Sequence, residues 1–290
     1  MTIFSGASTA LITPFKNGEV DFECLGRLIE MQISAGIRAL VLCGTTGEAA
    51  TLSEDEKAAV IEYSAKKIAG RVPLIAGCSS PSSECAARLA KKAREKGADA
   101  ILTTTPYYNK CTPEGLYLHY KSVAEASEIP LIAYNVPSRT GMNILPCHYE
   151  RLSEIDCLVA IKEASGNVAQ CEDIISRYGD RFDLYSGCDE LVCPIYAVGG
   201  KGVISVVSNL FPAKVARLCE SWETGREKDA VRTQLELYPL ICSLFLEVNP
   251  IPVKCAMAHL GLSEEEFRLP LCPMSEKNRS IMTEEIDRLK

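Results

Sequence analysis

Eight short apolar runs recur along the 290-residue chain, with helical patterns between them. They are TALIT (9–13), ALVLC (39–43), PLIAG (73–77), AILTT (100–104), PLIAY (130–134), LVAIK (158–162), FDLYS (182–186) and GVISV (202–206). Each is nearly continuous in apolar residues, as parallel strands covered by helices demand. The helices between them carry start signals. Ser53 and Glu56 form a capping box for a helix over 54–69, and Ser80-Pro81 and Thr112-Pro113 read as an N-cap followed by proline in the first turn. Eight strand–helix cycles without a break in composition predict an α/β fold, a (β/α)8 barrel, over residues 1–224. Residues 225–290 are expected to form a small helical C-terminal region packed on the barrel, with helices over 228–246, 251–260 and from about 275. Ser263 with Glu266 reads as another capping box, and Glu264-Glu265-Glu266 as a solvated first helical turn. An open doubly wound sheet would carry G-x-G-x-x-G after its first strand, and that loop is absent.

Composition excludes several classes. Hydrophobic residues make up 47% and charged residues 24%, the balance of a soluble globular protein. No apolar run approaches the roughly 18–20 residues of a membrane span. The N-terminal MTIFSGASTALITPF lacks the basic region and cleavage site of a signal peptide. A net charge of −7 without a basic block argues against nucleic acid and anionic membrane as partners. The fourteen cysteines are scattered, without C-x-x-C, and the three histidines (His119, His148, His259) have no paired spacing. Neither a disulfide framework nor a metal site is expected; most thiols read as small buried hydrophobes in a reducing cytoplasm.

In such a barrel, chemistry sits at the C-terminal ends of the strands. Those ends read Gly44-Thr45-Thr46-Gly47-Glu48, Thr105-Pro106-Tyr107-Tyr108-Asn109, Tyr134-Asn135-Val136-Pro137-Ser138-Arg139, Lys162, Ser186-Gly187 and Ile204-Ser205. Lys162 closes an apolar strand. An amine facing the barrel interior there is desolvated, its pKa falls, and the neutral form attacks carbonyls to give a Schiff base. A lysine on the outward face, paired to a carboxylate such as Glu163, is the bland alternative. Tyr134 ends the neighbouring strand and could shuttle protons, with Thr45, Thr46 and Tyr108 as hydroxyl partners. Gly44 and Gly47 allow a tight turn whose main-chain N–H groups hold a carboxylate. Arg139 offers a bidentate guanidinium to a second carboxylate. Tyr107 and Tyr108 could equally pack at a rim or subunit contact. Gly199-Gly200-Lys201-Gly202 precedes the last strand, at the barrel's far end, and reads as a turn rather than a phosphate loop.

The segments GTTGE (44–48), TPYYN (105–109), YNVPSRTG (134–141), IKEASG (161–166), GVIS (202–205), NPIPVK (249–254) and RLPLCPM (268–274) together resemble the dihydrodipicolinate synthase family. That family lies among the pyruvate-dependent class I aldolases, beside N-acetylneuraminate lyase and 2-keto-3-deoxy sugar acid aldolases. The loop SRTG with Arg139 is what points to the synthase within that class.

The resemblance implies a lyase that condenses pyruvate with L-aspartate 4-semialdehyde on the diaminopimelate route to lysine. It implies a Schiff base on Lys162 and proton transfer by Tyr134. Thr45 and Tyr108 extend the relay, Tyr108 across a dimer interface. Thr46 and the backbone at Ile204 bind the pyruvate carboxylate, with Gly187 among the binding positions, and Arg139 holds the semialdehyde carboxylate. The resemblance implies no metal or organic cofactor, and a cytoplasmic homotetramer built as a dimer of dimers.

Two departures stand out. Where lysine-inhibited members carry histidine, asparagine and glutamate, this chain has Glu54, Lys57, Pro81 and Glu84 or Cys85, so weak or absent lysine feedback is expected. Cys188 stands where the family more often has Asp or Asn. A non-catalytic barrel is the third reading, opposed by the intact set Lys162, Tyr134, Thr45, Thr46 and Tyr108.

Overall fold

In the computed structural model, which describes residues 2–290, eight parallel strands close into one barrel. They are β1 (Gly6–Ala10), β2 (Ala39–Leu42), β3 (Leu74–Gly77), β4 (Ala100–Thr104), β5 (Leu131–Asn135), β6 (Leu158–Glu163), β7 (Asp183–Ser186) and β8 (Gly202–Ser205). Each pairs with its sequence neighbour, and β8 closes on β1 through Gly6↔Gly202 to Thr9↔Ser205. The first strand lies earlier than TALIT predicts. The apolar Leu11 and Ile12 that extend that run are buried in the connection after the strand, where they pack on the barrel as tightly as strand residues.

Alternation along the strands sorts side chains into two layers. Ile132, Tyr134, Ala160, Tyr185 and Ile204 belong to the cluster inside the barrel. Ala133, Ile161, Leu184 and Val203 belong to the larger cluster between strands and helices. Lys162 lies two residues beyond Ala160, so it continues the interior row, and Glu163 continues the outer row with Ile161.

Helix α1 (Phe22–Ser34) follows a short hairpin of Phe15–Lys16 with Glu19–Val20. Helix α2 (Glu54–Ile68) opens on the predicted capping box: Glu56 N donates to Ser53 Oγ at 3.1 Å, and Ser53 N to Glu56 Oε2 at 2.8 Å. Helix α4 (Pro113–Ser127) starts as predicted from Thr112. Helix α3 (Ser83–Glu95) does not start at Ser80-Pro81. Its N-cap is Ser82, whose hydroxyl accepts from Cys85 N, which leaves Pro81 ahead of the helix.

The remaining helices are α5 (Pro137–Thr140), α6 (His148–Leu152), α7 (Val168–Tyr178), α8 (Val192–Ala197), α9 (Pro212–Glu223), α10 (Glu227–Ser243), α11 (Ile251–His259) and α12 (Glu276–Leu289). The expected capping box at Ser263 and Glu266 is not one. Residues 263–268 form no helix, and their acids are engaged elsewhere: Glu265 pairs with Arg279 at 2.6 Å and Glu266 accepts from Gly18 N. Helix α11 is buried along most of its length. Lys254 within it is 0% exposed and is paired to the equally buried Glu48, with its ammonium 4.2 Å from the Phe15 ring centroid. That pair fastens the C-terminal region to the loop after β2.

Every described cysteine is a free thiol. No helix among the described residues is long and apolar enough to cross a membrane.

Candidate active site

Lys162 is the penultimate residue of β6, with its side chain inside the barrel and only 5% exposed. It is the register partner of Tyr134 on β5, and its Nζ lies 4.3 Å from the centroid of the Tyr134 ring. Burial disfavours the ammonium and lowers the Lys162 pKa to about 8, while Asp189 favours the charged form and Arg139 opposes it. Burial also pushes the Tyr134 phenol up to about 12, partly offset by the Arg139 charge and the nearby Thr45 side chain. A phenol held in its neutral form beside a lysine that titrates near neutrality is a proton donor next to a nucleophile. The outward orientation weighed for Lys162 is therefore excluded.

Gly187 makes room for this lysine. A Cβ there would sit 2.7 Å from Ala164 Cβ and 3.1 Å from both Lys162 Cε and the Glu163 carbonyl oxygen. Gly187 N donates to that carbonyl at 2.7 Å, so the β7 end is drawn onto the β6 end at the point where a side chain would collide.

The loop after β2 brings Thr45 and Thr46 to the same mouth. Its left-handed positions are Cys43 (φ 54°) and Glu48 (φ 53°), not the glycines. Gly47 is needed for a different reason: a Cβ there would come within 3.2 Å of Leu11 O and Cys43 N. Thr46 is buried, and its hydroxyl accepts from Asn249 Nδ2 at 3.0 Å. Arg139, in the short helix α5, is exposed and donates to the Asn249 carbonyl oxygen at 3.1 Å, which leaves most of its N–H groups free. Ile204 is fully buried on β8, in the interior row.

Tyr108 is not in this mouth. It has φ +68° and is 90% exposed, so the loop turns its ring away from its own barrel. Tyr107 beside it is 37% exposed.

Three further residues, Glu163, Asp189 and Asn249, support the site. Glu163 faces the helix layer, 3% exposed, and its carboxylate accepts from Ser165 N at 2.7 Å, Asn135 Nδ2 at 2.8 Å and Gln170 Nε2 at 3.2 Å. Asn135 also donates to Asn143 Oδ1 at 2.7 Å, so this buried network anchors both ends of the loop that carries Arg139. Asp189 is buried beyond β7 and accepts from Val206 N and Val207 N, each at 2.9 Å, which fixes the chain after Ile204. Asn249 ties Thr46 to Arg139. One signal was available for Lys254: like Lys162, it interrupts an apolar run, IPVKCAMA.

Cys188 lies between Gly187 and Asp189. Burial pushes its thiol up to about 12, so it is neutral at physiological pH. Among the described residues, no group of three or more His, Cys, Asp and Glu side chains is placed to hold a metal ion.

A lysine and a tyrosine are paired inside the barrel, with a threonine loop and an arginine at the same mouth. The profile of the Dihydrodipicolinate synthetase family matches residues 3–289. The chain belongs to this family. A member from Acetivibrio thermocellus, a 4-hydroxy-tetrahydrodipicolinate synthase, is 49% identical over 280 residues, 97% of this chain and 95% of its own. The dihydrodipicolinate synthase of Aquifex aeolicus superposes with a TM-score of 0.96 at 44% identity, over 99% of this chain and 98% of that one. A third member, the chloride-inhibited dihydrodipicolinate synthase of Acinetobacter baumannii complexed with pyruvate, gives 0.96 at 41% identity over 99% of both chains.

Proposed function

We propose that Lys162 is the Schiff-base nucleophile of this dihydrodipicolinate synthase family enzyme. The enzyme is a lyase that condenses pyruvate with L-aspartate 4-semialdehyde to 4-hydroxy-2,3,4,5-tetrahydrodipicolinate, the first committed step of lysine biosynthesis through diaminopimelate. The observation that carries the nucleophile assignment is the buried Lys162 amine 4.3 Å from the Tyr134 ring, on the interior row of the barrel. The pyruvate complex of the Acinetobacter baumannii relative supports the choice of first substrate.

The neutral Lys162 amine adds to the pyruvate ketone. Tyr134 gives a proton to the carbinolamine hydroxyl, which leaves as water, and an iminium forms. Tyr134, left as phenolate, takes a proton from the pyruvate methyl to give the enamine, whose carbon attacks the aldehyde of the second substrate. The alkoxide that develops takes a proton through Tyr134 and Thr45. The semialdehyde's own amine then attacks the imine carbon, closes the ring and expels Lys162 as the free amine. The covalent pyruvate adduct serves as the electron sink, so the steps require no organic cofactor. Thr46 and the backbone at Ile204 hold the pyruvate carboxylate, with Gly187 lining the space above Lys162. Arg139 holds the semialdehyde carboxylate, since its guanidinium is exposed at the mouth with donors to spare.

Tyr108 completes the relay in a second copy: its outward ring suits a donor that crosses an interface, and the partner subunit's Tyr108 would fill the same role here. This arrangement calls for at least a dimer, within the tetramer the family resemblance implies. The free thiols fit a cytoplasmic setting.

A coupled assay with pyruvate and L-aspartate 4-semialdehyde tests the activity. Turnover with both is expected. Pyruvate trapping without turnover would instead point to another pyruvate aldolase, and Arg139→Ala would then leave its rate unchanged.

A further inference from the structure

NPIPVK (249–254) supplies none of the groups invoked in the condensation, yet it reaches the site from outside the strand ends. Asn249 makes two contacts there. Its side-chain Nδ2 donates to the Thr46 hydroxyl at 3.0 Å, across 203 positions of sequence. Its main-chain carbonyl accepts from the Arg139 guanidinium at 3.1 Å. The residue is 6% exposed, and its Oδ1 is buried without a hydrogen-bond partner among the described residues. Five positions on, Lys254 is paired to Glu48, so the segment grips the loop after β2 at two points.

A buried asparagine that served packing alone would use both ends of its amide on protein, because an orphaned acceptor is costly. Asn249 uses only the donor end. Its contacts are also with the two groups assigned to carboxylates, one from each substrate. Condensation joins carbons of the two substrates, so the spacing of their carboxylates governs whether the reacting carbons meet. A misplacement of about 1 Å can cost on the order of a hundredfold in rate.

We propose that Asn249 is the positioning residue that holds the two carboxylate subsites at one spacing, with its side chain on Thr46 and its main chain on Arg139. The inference rests on the roles given to Thr46 and Arg139 under the proposed function. The Thr46 hydroxyl, with its lone pair taken by Asn249, is turned to donate its proton to the pyruvate carboxylate. The Arg139 guanidinium is held at one edge and presents its other N–H groups to the semialdehyde.

The full-length enzyme is compared with Asn249→Ala, the isosteric Asn249→Asp, Thr46→Val and the Thr46→Val/Asn249→Ala double variant. Pyruvate and semialdehyde are varied separately, thermal melting is recorded, and borohydride trapping with pyruvate is read by intact mass. Asn249→Ala should raise KM for pyruvate roughly tenfold, the loss of one oriented hydrogen bond to a charged group. It should also lower kcat with both substrates bound, because the reacting carbons no longer meet at the wild-type spacing, and still trap pyruvate. The double variant should be no worse than Thr46→Val alone, because the two residues act through one contact. Asn249→Asp keeps the shape and places a carboxylate between the two subsites, so KM should rise for both substrates. It carries the test if the alanine variant does not fold. Values of KM within twofold of wild type for both variants, or losses that multiply in the double variant, would overturn the proposal. Wild-type enzyme that neither traps pyruvate nor turns over would overturn the site assignment itself. Normal wild-type behaviour with normal variants would remove only the role of Asn249.

Discussion

Lys162 and Tyr134 are register partners on adjacent parallel strands, and the lysine Nζ lies 4.3 Å from the centre of the tyrosine ring. The pairing follows from strand geometry. Both are the penultimate residues of their strands, where side chains leave the packed barrel and begin to line its mouth. The same burial acts on both in opposite senses. It lowers the lysine pKa to about 8 and raises the tyrosine to about 12, because in each case the charged form is the one that loses solvation.

A pH dependence follows. With a pKa of about 8, Lys162 is mostly ammonium below that value and mostly amine above it. The reaction needs the amine, so kcat/KM for pyruvate should fall roughly tenfold per pH unit below the Lys162 pKa and level off above it. A profile flat down to pH values well below neutrality would place the nucleophile's pKa elsewhere.

Cys188 should tune that limb. Its buried thiol is neutral at physiological pH, so replacing it by aspartate adds a negative charge near Lys162 and stabilises the ammonium. Cys188→Asp is expected to move the acid limb of the pH profile to higher pH by on the order of one unit, and Cys188→Asn to leave it in place. The same limb in both variants would show that the thiol position does not sense the amine.

Gly187→Ala tests the fit around the lysine. Its Cβ would press on Ala164 Cβ at 2.7 Å and on Lys162 Cε at 3.1 Å, with backbone on the third side. The expected outcome is a loss of at least about tenfold in kcat/KM for pyruvate, from displacement of the amine, with a modest drop in melting temperature. Full activity would mean that Lys162 does not need the position it occupies here.

The helix order and the chemistry-bearing strand ends were legible because each rests on a local pattern. The strand β4 was read at its observed bounds, since AILTT is set off on both sides by polar or turn residues. β1 was displaced because Leu11 and Ile12 beyond it are as apolar as the strand and just as buried. Ser263 and Glu266 had the residues of a capping box, but Arg279 and Gly18 N claim the acids that follow the serine. These competing partners come from other parts of the chain, and no local spacing reveals them. The same holds for the site. Lys162, Tyr134 and Thr46 stand at strand ends, whereas Asn249 reaches Thr46 from 203 residues away. Glu163 was hard to assign because its meaning depends on Asn135 at the end of β5 and Gln170 on α7, which bond its buried carboxylate, and on Asn143, which bonds both of them.

Feedback by L-lysine should be weak or absent. Glu54, one carboxylate at the positions compared with lysine-inhibited members, is already paired with Arg88 at 2.7 Å, and Lys57 and Lys92 add positive charge to the same face. Steady-state rates with millimolar L-lysine should match those without it. An inhibition constant well below a millimolar would contradict this.

The central claim is that Lys162 carries pyruvate as a Schiff base. Treatment with pyruvate and borohydride, followed by intact mass and peptide mapping, should give one pyruvate-derived adduct per chain, located on the peptide containing Lys162 and absent from Lys162→Arg. Absence of an adduct, or an adduct that persists in Lys162→Arg, would contradict the mechanism.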